Sequence, residues 1–294
     1  MSKVSVIIPA FNMERYILRS VESVLAQEYP LIELIVVDDG SSDGTVRVLK
    51  PLNEKLHIIR QENRGLSCAR NRGILAATGD FVAFLDADDY WRPGKLAAQV
   101  ALLERNPAVG FVSCDAALES ETGDPVGEWR FDGAGGDLLH NIFERNAIVP
   151  GSGSAVVVRR ELFSVAGLFD RFLTSLEDID MWMRLASVTR FDCVPEPLAV
   201  IMRRKGSMSS NYIGMKENAC RVMRKNRSLL KQSDQGALWR AAYSAMLTDY
   251  AKWAYREGNR GAAFRLLIEA ATYSTGHWRL IASLTLAMVK SEKI

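Results

Sequence analysis

The sequence predicts an α/β fold in which a mostly parallel, Rossmann-like sheet is flanked by helices and followed by a helical C-terminal extension. Strand-like and helix-like segments alternate over roughly the first hundred residues, a pattern typical of parallel sheets. Two of the predicted strands end in clusters of carboxylates. From about Gly214 onward, apolar residues recur at helical spacing. We therefore expect right-handed crossovers within a first domain, 1–213, and a helical second segment, 214–294.

The alternation is clearest in the first half of the chain. The segment 4–9 is an apolar strand that we expect to stop at Pro9, because proline cannot donate to a strand ladder. Apolar residues on one face then predict a helix, and short apolar runs predict further buried strands. The elements predicted here are, in order, strand 4–9, helix 14–27, strand 34–37, strand 57–60, helix 66–77 and strand 81–85.

The second half is less regular. Residues 119–136 are rich in Gly, Asp and Glu and predict a mobile loop. The glycines at 258 and 261 mark a turn between two amphipathic helical segments, which predicts a helical hairpin. The other elements predicted here are strand 111–114, strand 155–158, a helix that starts at 177 with acidic residues, and a helix over 262–273.

The composition excludes several classes of protein. Of the 294 residues 48% are apolar, so a substantial core can form. The 37 basic and 35 acidic side chains leave a net charge of +2, too little for an overall basic field that would attract nucleic acid. The four cysteines lack Cys-x-x-Cys spacing, as in a cytosolic protein with reduced thiols. The chain shows no signal peptide and its apolar run at 280–289 is too short to span a bilayer, so we expect a cytoplasmic protein of undetermined oligomeric state.

The most informative segment is the one in which the apolar run 81–85 ends in Asp86, Asp88 and Asp89. In open α/β sheets, ligands sit where the strands emerge. An Asp-x-Asp there predicts a hard-cation site that links a metal to a diphosphate, whereas a solvated turn with a helix N-cap is the alternative. Asp38 and Asp39 follow a second strand, and the two clusters should face one crevice, which favours the ligand interpretation.

Two common nucleotide-binding motifs are absent from the chain. The dinucleotide fingerprint Gly-x-Gly-x-x-Gly does not follow the first strand, and the phosphate-binding Gly-x-x-x-x-Gly-Lys-Ser/Thr loop does not occur. These absences disfavour a dehydrogenase or a P-loop enzyme. The phosphates would instead be neutralised by side chains and a cation, Mg²⁺ or Mn²⁺, which prefer oxygen ligands.

Five ordered segments carry a resemblance to a known family. They lie at 4–12, 36–45, 63–73, 84–89 and 175–184, the last with Glu177-Asp178 followed by Trp182 and Arg184. In this order they resemble the motifs of the family 2 glycosyltransferases of the GT-A fold, over roughly residues 3–210.

The resemblance implies an inverting, metal-dependent transferase of the hexosyl or N-acetylhexosaminyl class. It implies a nucleotide-sugar donor, UDP-linked, that binds the half 1–100, and a glycan or lipid-linked acceptor that binds the half 101–213. A carboxylate base suits this chemistry, because a sugar hydroxyl is a poor nucleophile until its proton is removed. The site residues implied are Pro9 and Phe11 at the base pocket, Asp39 on the base N–H with Asp38 beside it, Arg70 near the base or diphosphate, Asp86 by the ribose and metal, Asp88 on the metal, and Asp178 as general base.

The chain departs from the family pattern in two ways. The Gln-x-x-Arg-Trp motif of the processive synthases is missing, which favours transfer of a single sugar. Many relatives carry a histidine soon after the Glu-Asp helix, but no histidine occurs here between His140 and His277, so a third protein ligand to the metal is not identified. We hypothesise that Arg203, Arg204 or Lys205 contacts the diphosphate instead, as a fixed positive charge.

Other interpretations of the sequence stay open. A nucleotidyltransferase that makes nucleotide-sugars also uses carboxylate-held Mg²⁺, but it would need an early Gly-rich loop. A non-catalytic nucleotide-sugar-binding protein is the third candidate. The basic stretch 216–227 is compatible with peripheral contact at the inner face of a membrane and equally with a solvated helix face.

Overall fold

The computed structural model describes residues 1–132, 137–145, 149–204 and 211–273, together with 281–282 and 285–286. The described residues fall into two compact units, the first within 1–133 and 148–205, the second within 134–147 and 206–294. This division differs from the predicted domains 1–213 and 214–294, because a helix at 138–145 groups with the C-terminal helices.

The first unit is built on one mixed sheet, and the predicted α/β class is confirmed. The strands are β1 Val4–Ala10, β2 Ile32–Asp38, β3 His57–Arg60, β4 Phe81–Phe84, β5 Tyr90–Trp91, β6 Val109–Ser120, β7 Pro125–Trp129, β8 Val157–Arg159 and β9 Arg190–Arg203. Within the described residues their order in the sheet is β3-β2-β1-β4-β8-β6-β9-β5, and β7 pairs with β6. The first four strands in this order run parallel, as predicted, and β8 is antiparallel to both of its neighbours.

Helices cover the sheet because each presents an apolar stripe to it. The first helix, for example, buries Ile17, Val21 and Val24 in one cluster with the wholly buried first strand. The helices of this unit are α1 Ile17–Leu25, α2 Thr45–Leu49, α3 Leu66–Ala76, α4 Lys95–Arg105, α6 Leu162–Ala166 and α7 Glu177–Ala186.

The predicted end of β1 at Pro9 is wrong by one residue, because the strand continues to Ala10. The carbonyl of Ile7 accepts a hydrogen bond from the Leu85 amide. Every second residue of β1, counted from Ile7, therefore directs its backbone N–H and C=O groups toward β4. Pro9 shares that side with Ile7, but the pairing with β4 ends at Ile7. The next backbone donor of β1 on that side would be Pro9, which has no N–H, so the ladder with β4 does not continue.

The middle of the chain is more ordered than predicted. Residues 119–132 are not all loop, since β6 runs to Ser120 and pairs with β7, whereas 133–136 lie outside the described residues. The predicted strand 155–158 starts only at Val157, because Ser152–Ala155 form a turn of 3-10 helix. β9, which has two prolines, pairs with β6 through register shifts around Asp115.

The second unit consists of helices, as predicted for the C-terminal segment. Two of its basic residues face aromatic rings of the same unit, with Arg227 4.7 Å from the ring centre of Trp239 and Arg224 5.4 Å from that of Tyr243. In the part of the chain that the structure describes, no helix combines the length and apolarity needed to cross a bilayer. Its helices are α5 Leu138–Arg145, α8 Tyr212–Lys225, α9 Ala237–Arg256 and α10 Arg260–Tyr273.

Close packing of α3 on β1 makes Gly73 a sensitive position. A Cβ at Gly73 would overlap the Cγ2 atom of the buried Ile7. We expect Gly73→Ala to lower the free energy of unfolding by about 1–3 kcal/mol, the usual cost of overpacking. Urea denaturation measures it, and Gly261→Ala is the control, because that helical glycine has open space around it. Equal stability of both variants would contradict the packing described.

Candidate active site

The carboxyl ends of three strands define the site. β1 lies between β2 and β4 and is parallel to both, so all three strands end at the same edge of the sheet. With neighbouring strands about 4.8 Å apart, the ends of β2 and β4 are about 10 Å from each other. The structure thus brings Asp38 and Asp39, at the end of β2, to the same edge as Asp86, which follows β4.

Asp38 is fully buried and ties its turn to the neighbouring strand. Its Oδ2 accepts a hydrogen bond from Arg60 Nε at 2.9 Å, and its Oδ1 accepts one from the Ser41 amide at 3.1 Å. Beyond the end of β1, the side chain of Phe11 is 43% exposed, whereas Pro9 is buried. An exposed aromatic ring beside a strand end can stack on a planar ligand.

Asp39 organises the loop that leads into α3. Its Oδ1 accepts hydrogen bonds from Gln61 Nε2 at 2.7 Å and from the Arg64 amide at 2.9 Å, and its Oδ2 accepts one from the Gly65 amide at 2.8 Å. Gly40 follows with φ +80°, and a Cβ there would lie 2.8 Å from the Asn63 amide nitrogen. Asp39 therefore fixes the start of the helix that carries Arg70.

Arg70 joins two segments of the site. Its side chain is 1% exposed, and it donates to Asp86 Oδ1 at 2.7 Å and to Glu177 Oε1 at 2.6 Å. Burial raises the pKa of Glu177 to about 7, against the lowering influence of Arg70. Burial alone would lower the pKa of Arg70, but the charges of Asp86 and Glu177 outweigh it and raise that pKa. The guanidinium therefore stays charged and holds α7 to the end of β4.

Asp89 fixes the acidic segment, residues 86–89, to the buried side of the first unit. It is buried, its Oδ1 accepts from the Met202 amide at 2.9 Å, and its Oδ2 accepts from Ser154 Oγ at 2.5 Å. Ser154 Oγ also accepts from the Asp86 amide at 3.0 Å. Burial, with the charges of Asp88 and Asp86, raises the pKa of Asp89 well above its ordinary value. Asp86 and Asp88 are left partly exposed on the open side.

Asp88 is paired with one of the three cations predicted to contact the diphosphate. Arg204 Nε lies 2.7 Å from Asp88 Oδ2, whereas Arg203 is exposed and Lys205 lies outside the described residues. Burial and the charge of Asp86 raise the pKa of Asp88, although Arg204 opposes this. Two carboxylates that repel each other are a suitable pair of oxygen donors for a divalent cation.

The donor set fits Mg²⁺ or Mn²⁺ better than a metal that needs a complete protein cage. Among the described residues, no group of three or more His, Cys, Asp or Glu side chains is arranged to hold a metal ion. Mg²⁺ commonly binds through one or two carboxylates and takes its other ligands from substrate phosphates and water. Asp86 and Asp88 match that pattern.

Asp178 lies in the first turn of α7, next to Glu177. It is half-buried, and its Oδ2 accepts a hydrogen bond from Ser152 Oγ while its Oδ1 accepts one from the Ile179 amide at 2.8 Å. Leu176, just before the helix, has φ +59°. Non-glycine residues at positive φ are uncommon, and such strain persists where the surrounding structure enforces it. Asp178 is thus a fixed carboxylate with access to the outside.

Sequence reasoning missed two serines that shape this site, and it identified Asp89 only as a member of the acidic cluster. Ser152 and Ser154 contact segments far away in the chain, and the apolar and acidic patterns do not reveal such contacts. The available signal was the alternation of Gly and Ser from Gly151 to Ser154, which is unusual just before a buried strand. Small residues there allow a close approach of backbone to Arg70.

Comparison with known proteins identifies the family. The profile described as glycosyl transferase family 2 matches residues 5–165, more than half of the chain. The chain belongs to glycosyl transferase family 2. Membership confirms the predicted resemblance, and it favours a glycosyltransferase over the nucleotidyltransferase alternative.

Curated relatives of this family 2 glycosyltransferase align with only part of it. An uncharacterized glycosyltransferase of Nostoc, alr2836, is 46% identical over 114 residues, which are 37% of this chain and 35% of the relative. A Bacillus subtilis protein provisionally named as the teichuronic acid biosynthesis glycosyltransferase TuaG is 41% identical over 128 residues, 42% of this chain and 50% of the relative. The chain thus spans half or less of the length of these two relatives.

Solved structures show the same fold over nearly the whole glycosyltransferase. Residues 1–349 of S. aureus TarS in complex with UDP-GlcNAc superpose with a TM-score of 0.65 at 19% identity, covering 99% of this chain and 92% of that fragment. The Pyrobaculum calidifontis mannosyltransferase PcManGT, in complex with GDP-Man and Mn²⁺, gives 0.65 at 23% identity, covering 98% and 81%. The predicted GT-A fold is confirmed.

The bridge made by Arg70 leads to a stability prediction. Arg70→Met would leave Glu177 buried without its countercharge, so we expect the free energy of unfolding to fall by about 3–5 kcal/mol. Chemical denaturation measures this loss, and Arg72→Met is the control, because Arg72 lies on the same helix but is exposed. Adding Glu177→Gln to Arg70→Met should recover part of the loss. A loss of stability equal to that of the control would mean that the bridge is not needed.

Proposed function

We propose that the chain transfers a single sugar from a UDP-linked nucleotide-sugar to a hydroxyl of a glycan or lipid-linked acceptor, with inversion at the anomeric carbon. The observation that carries the proposal is the Arg70 bridge, which holds the helix of Asp178 against Asp86. A carboxylate that can act as a base is thereby fixed beside carboxylates that can bind a cation. That pairing is what direct displacement of a nucleoside diphosphate requires.

Asp178 is the general base of the proposed reaction. Its carboxylate takes the proton of the acceptor hydroxyl as the acceptor oxygen bonds to the anomeric carbon. The bond between that carbon and the diphosphate oxygen breaks, and the nucleoside diphosphate leaves with the electron pair. A single displacement inverts the configuration. Asp178 suits this role because it is partly exposed, whereas the neighbouring Glu177 is buried against Arg70.

Asp88 and Asp86 hold the divalent cation in this proposal. When bound, Mg²⁺ or Mn²⁺ stabilises the negative charge that develops on the leaving diphosphate. The Mn²⁺ and GDP-Man in the PcManGT structure support this choice of cofactor. Arg204, which is paired with Asp88, would supply a second positive charge to the same phosphates.

The end of β1 and the turn after β2 form the proposed donor pocket. Phe11 offers an exposed ring to the nucleotide base, and Pro9 shapes the backbone beside it. Asp38 and Asp39 keep the turn in place, and Asp39 is the residue proposed to accept from the base N–H. The UDP-GlcNAc bound to TarS supports a uridine nucleotide.

The proposed acceptor is a bacterial polysaccharide or its lipid-linked precursor, as supported by the naming of TuaG for teichuronic acid biosynthesis. A cytoplasmic location for this reaction is part of the proposal, and contact with the inner face of the membrane stays a prediction for 214–294. Arg224 and Arg227 lie over rings of their own unit, which leaves fewer basic side chains of this stretch for lipid headgroups.

Loss of the base should separate transfer from binding. We expect Asp178→Asn to lower kcat for sugar transfer about 10²- to 10⁴-fold, the usual contribution of general base catalysis. The assay is a panel of nucleotide-sugars with Mn²⁺ or with EDTA, read as sugar transfer, donor hydrolysis and Mn²⁺-dependent thermal shift. The variant should keep the thermal shift that UDP and Mn²⁺ give the unaltered chain.

The control for this experiment is Glu161→Gln, which neutralises an exposed carboxylate before α6. Full activity of Asp178→Asn would remove the proposed base. If nucleotides caused no thermal shift in the unaltered chain, both the proposed enzyme and the alternative of a nucleotide-sugar-binding protein would be contradicted.

Arg204 should matter for donor binding far more than its neighbour. We expect Arg204→Ala to raise the KM for the donor strongly, because the diphosphate loses a charge-assisted contact, worth about 1.5–3 kcal/mol when a hydrogen bond involves an ion. Arg203→Ala removes the same charge from the adjacent exposed position and serves as the control. Steady-state kinetics with varied donor decide the matter, and identical KM values for the two variants would exclude Arg204 from the donor site.

A further inference from the structure

The turn from Pro150 to Ala155 is held on several sides. The carbonyl of Pro150 accepts from Ser113 Oγ at 2.8 Å, that of Ser154 from Trp91 Nε1 at 2.7 Å, and that of Ala155 from Gln99 Nε2 at 2.7 Å. These donors belong to three different segments of the first unit. The turn therefore has little freedom to change its course.

Tight packing also fixes the backbone inside the turn. A Cβ at Gly153 would lie 2.8 Å from Arg70 Nη2, so the chain passes directly against the guanidinium. Gly151 has φ +71°, which glycine adopts without strain, but Ser152 has φ +51°. A serine at positive φ is strained, and strained residues of this kind cluster at functional sites.

The described non-glycine residues at positive φ all border the site. They are Asn12, just beyond β1, Ser152, and Leu176, just before Glu177 and Asp178. Two of the three, Ser152 and Leu176, lie on either side of one contact, the hydrogen bond from Ser152 Oγ to Asp178 Oδ2. The fold thus accepts strain on both sides of this hydrogen bond.

Ser152 and Asp178 are also more exposed to solvent than their neighbours. Gly153, Ser154 and Glu177 are buried, whereas Ser152 and Asp178 are both half-buried. The hydroxyl of Ser152 has spare lone pairs after it donates to Asp178, and the carboxylate can accept further hydrogen bonds. An acceptor hydroxyl can therefore approach the carboxylate while Ser152 holds it.

We propose that Ser152 is a positioning residue for the base: its hydroxyl fixes the orientation of the Asp178 carboxylate so that an oxygen faces the acceptor hydroxyl. This inference rests on the proposed function, since it gives Ser152 a role only through Asp178. Ser152 exchanges no proton with the substrate, and the acceptor proton goes to Asp178. The rigid turn supplies the precision, because a misplaced catalytic group loses much of its rate advantage.

Substitution by glycine separates the hydroxyl from the backbone. Ser152→Gly removes the hydrogen bond but suits the positive φ, so the fold should be kept or slightly stabilised. We expect kcat for transfer to fall about 10- to 100-fold, a loss typical of small misplacements, with the donor KM within about twofold of the unaltered chain. The control is Ser164→Ala, which removes an exposed serine hydroxyl outside the turn 150–155. It should change neither kcat nor the donor KM.

A double-mutant cycle distinguishes positioning from a general structural effect. In the Asp178→Asn background, Ser152→Gly should cause no further loss of kcat, because the group it positions is gone. Thermal unfolding of each variant tests whether folding is affected. Unchanged kcat in Ser152→Gly, or an equal loss in both backgrounds, would overturn the inference. Neither result would touch the proposed function, which fails only if the unaltered chain transfers no sugar or Asp178→Asn stays active.

Discussion

The site depends on one buried cation. Arg70 is surrounded by protein, and it links Asp86, after β4, to Glu177, at the start of α7. A buried charge is tolerated only when it is paired and hydrogen-bonded, so the buried Arg70 and Glu177 require each other, and Asp86 adds a second partner to Arg70. The interaction also gives geometry, because a planar guanidinium donates in fixed directions. The segments that carry the proposed metal ligands and the proposed base are therefore aligned by a single side chain.

A second layer of contacts keeps the acidic segment in place. Asp89 accepts from the backbone of β9 and from Ser154, and Ser154 in turn accepts from the amide of Asp86. Buried polar groups are costly if one partner is lost, so this small network acts as a unit. It leaves Asp86 and Asp88 partly exposed, at the edge of the sheet where the proposed cation and diphosphate would bind.

Much of this could be predicted from the sequence. Apolar runs that stop at carboxylates gave both the parallel strands and the edge where Asp38 and Asp86 meet, because strand period and burial are local properties. The partners of Arg70 could not be predicted from patterning, since they lie 16 and 107 positions away along the chain. β9 was missed because its two prolines break the usual strand pattern and only pairing with β6 compensates. The hydrogen bond of Ser152 depends on an unusual backbone angle, for which a serine in the sequence gives no indication.

The two outermost strands in the order of the sheet are short. β3, at one end, has four residues and begins and ends with exposed polar side chains, His57 and Arg60; β5, at the other end, has two residues. Unpaired strand edges are templates on which chains aggregate, and short or charged edges are how proteins avoid this. At these two strands the sheet therefore offers little backbone on which another chain could add a strand.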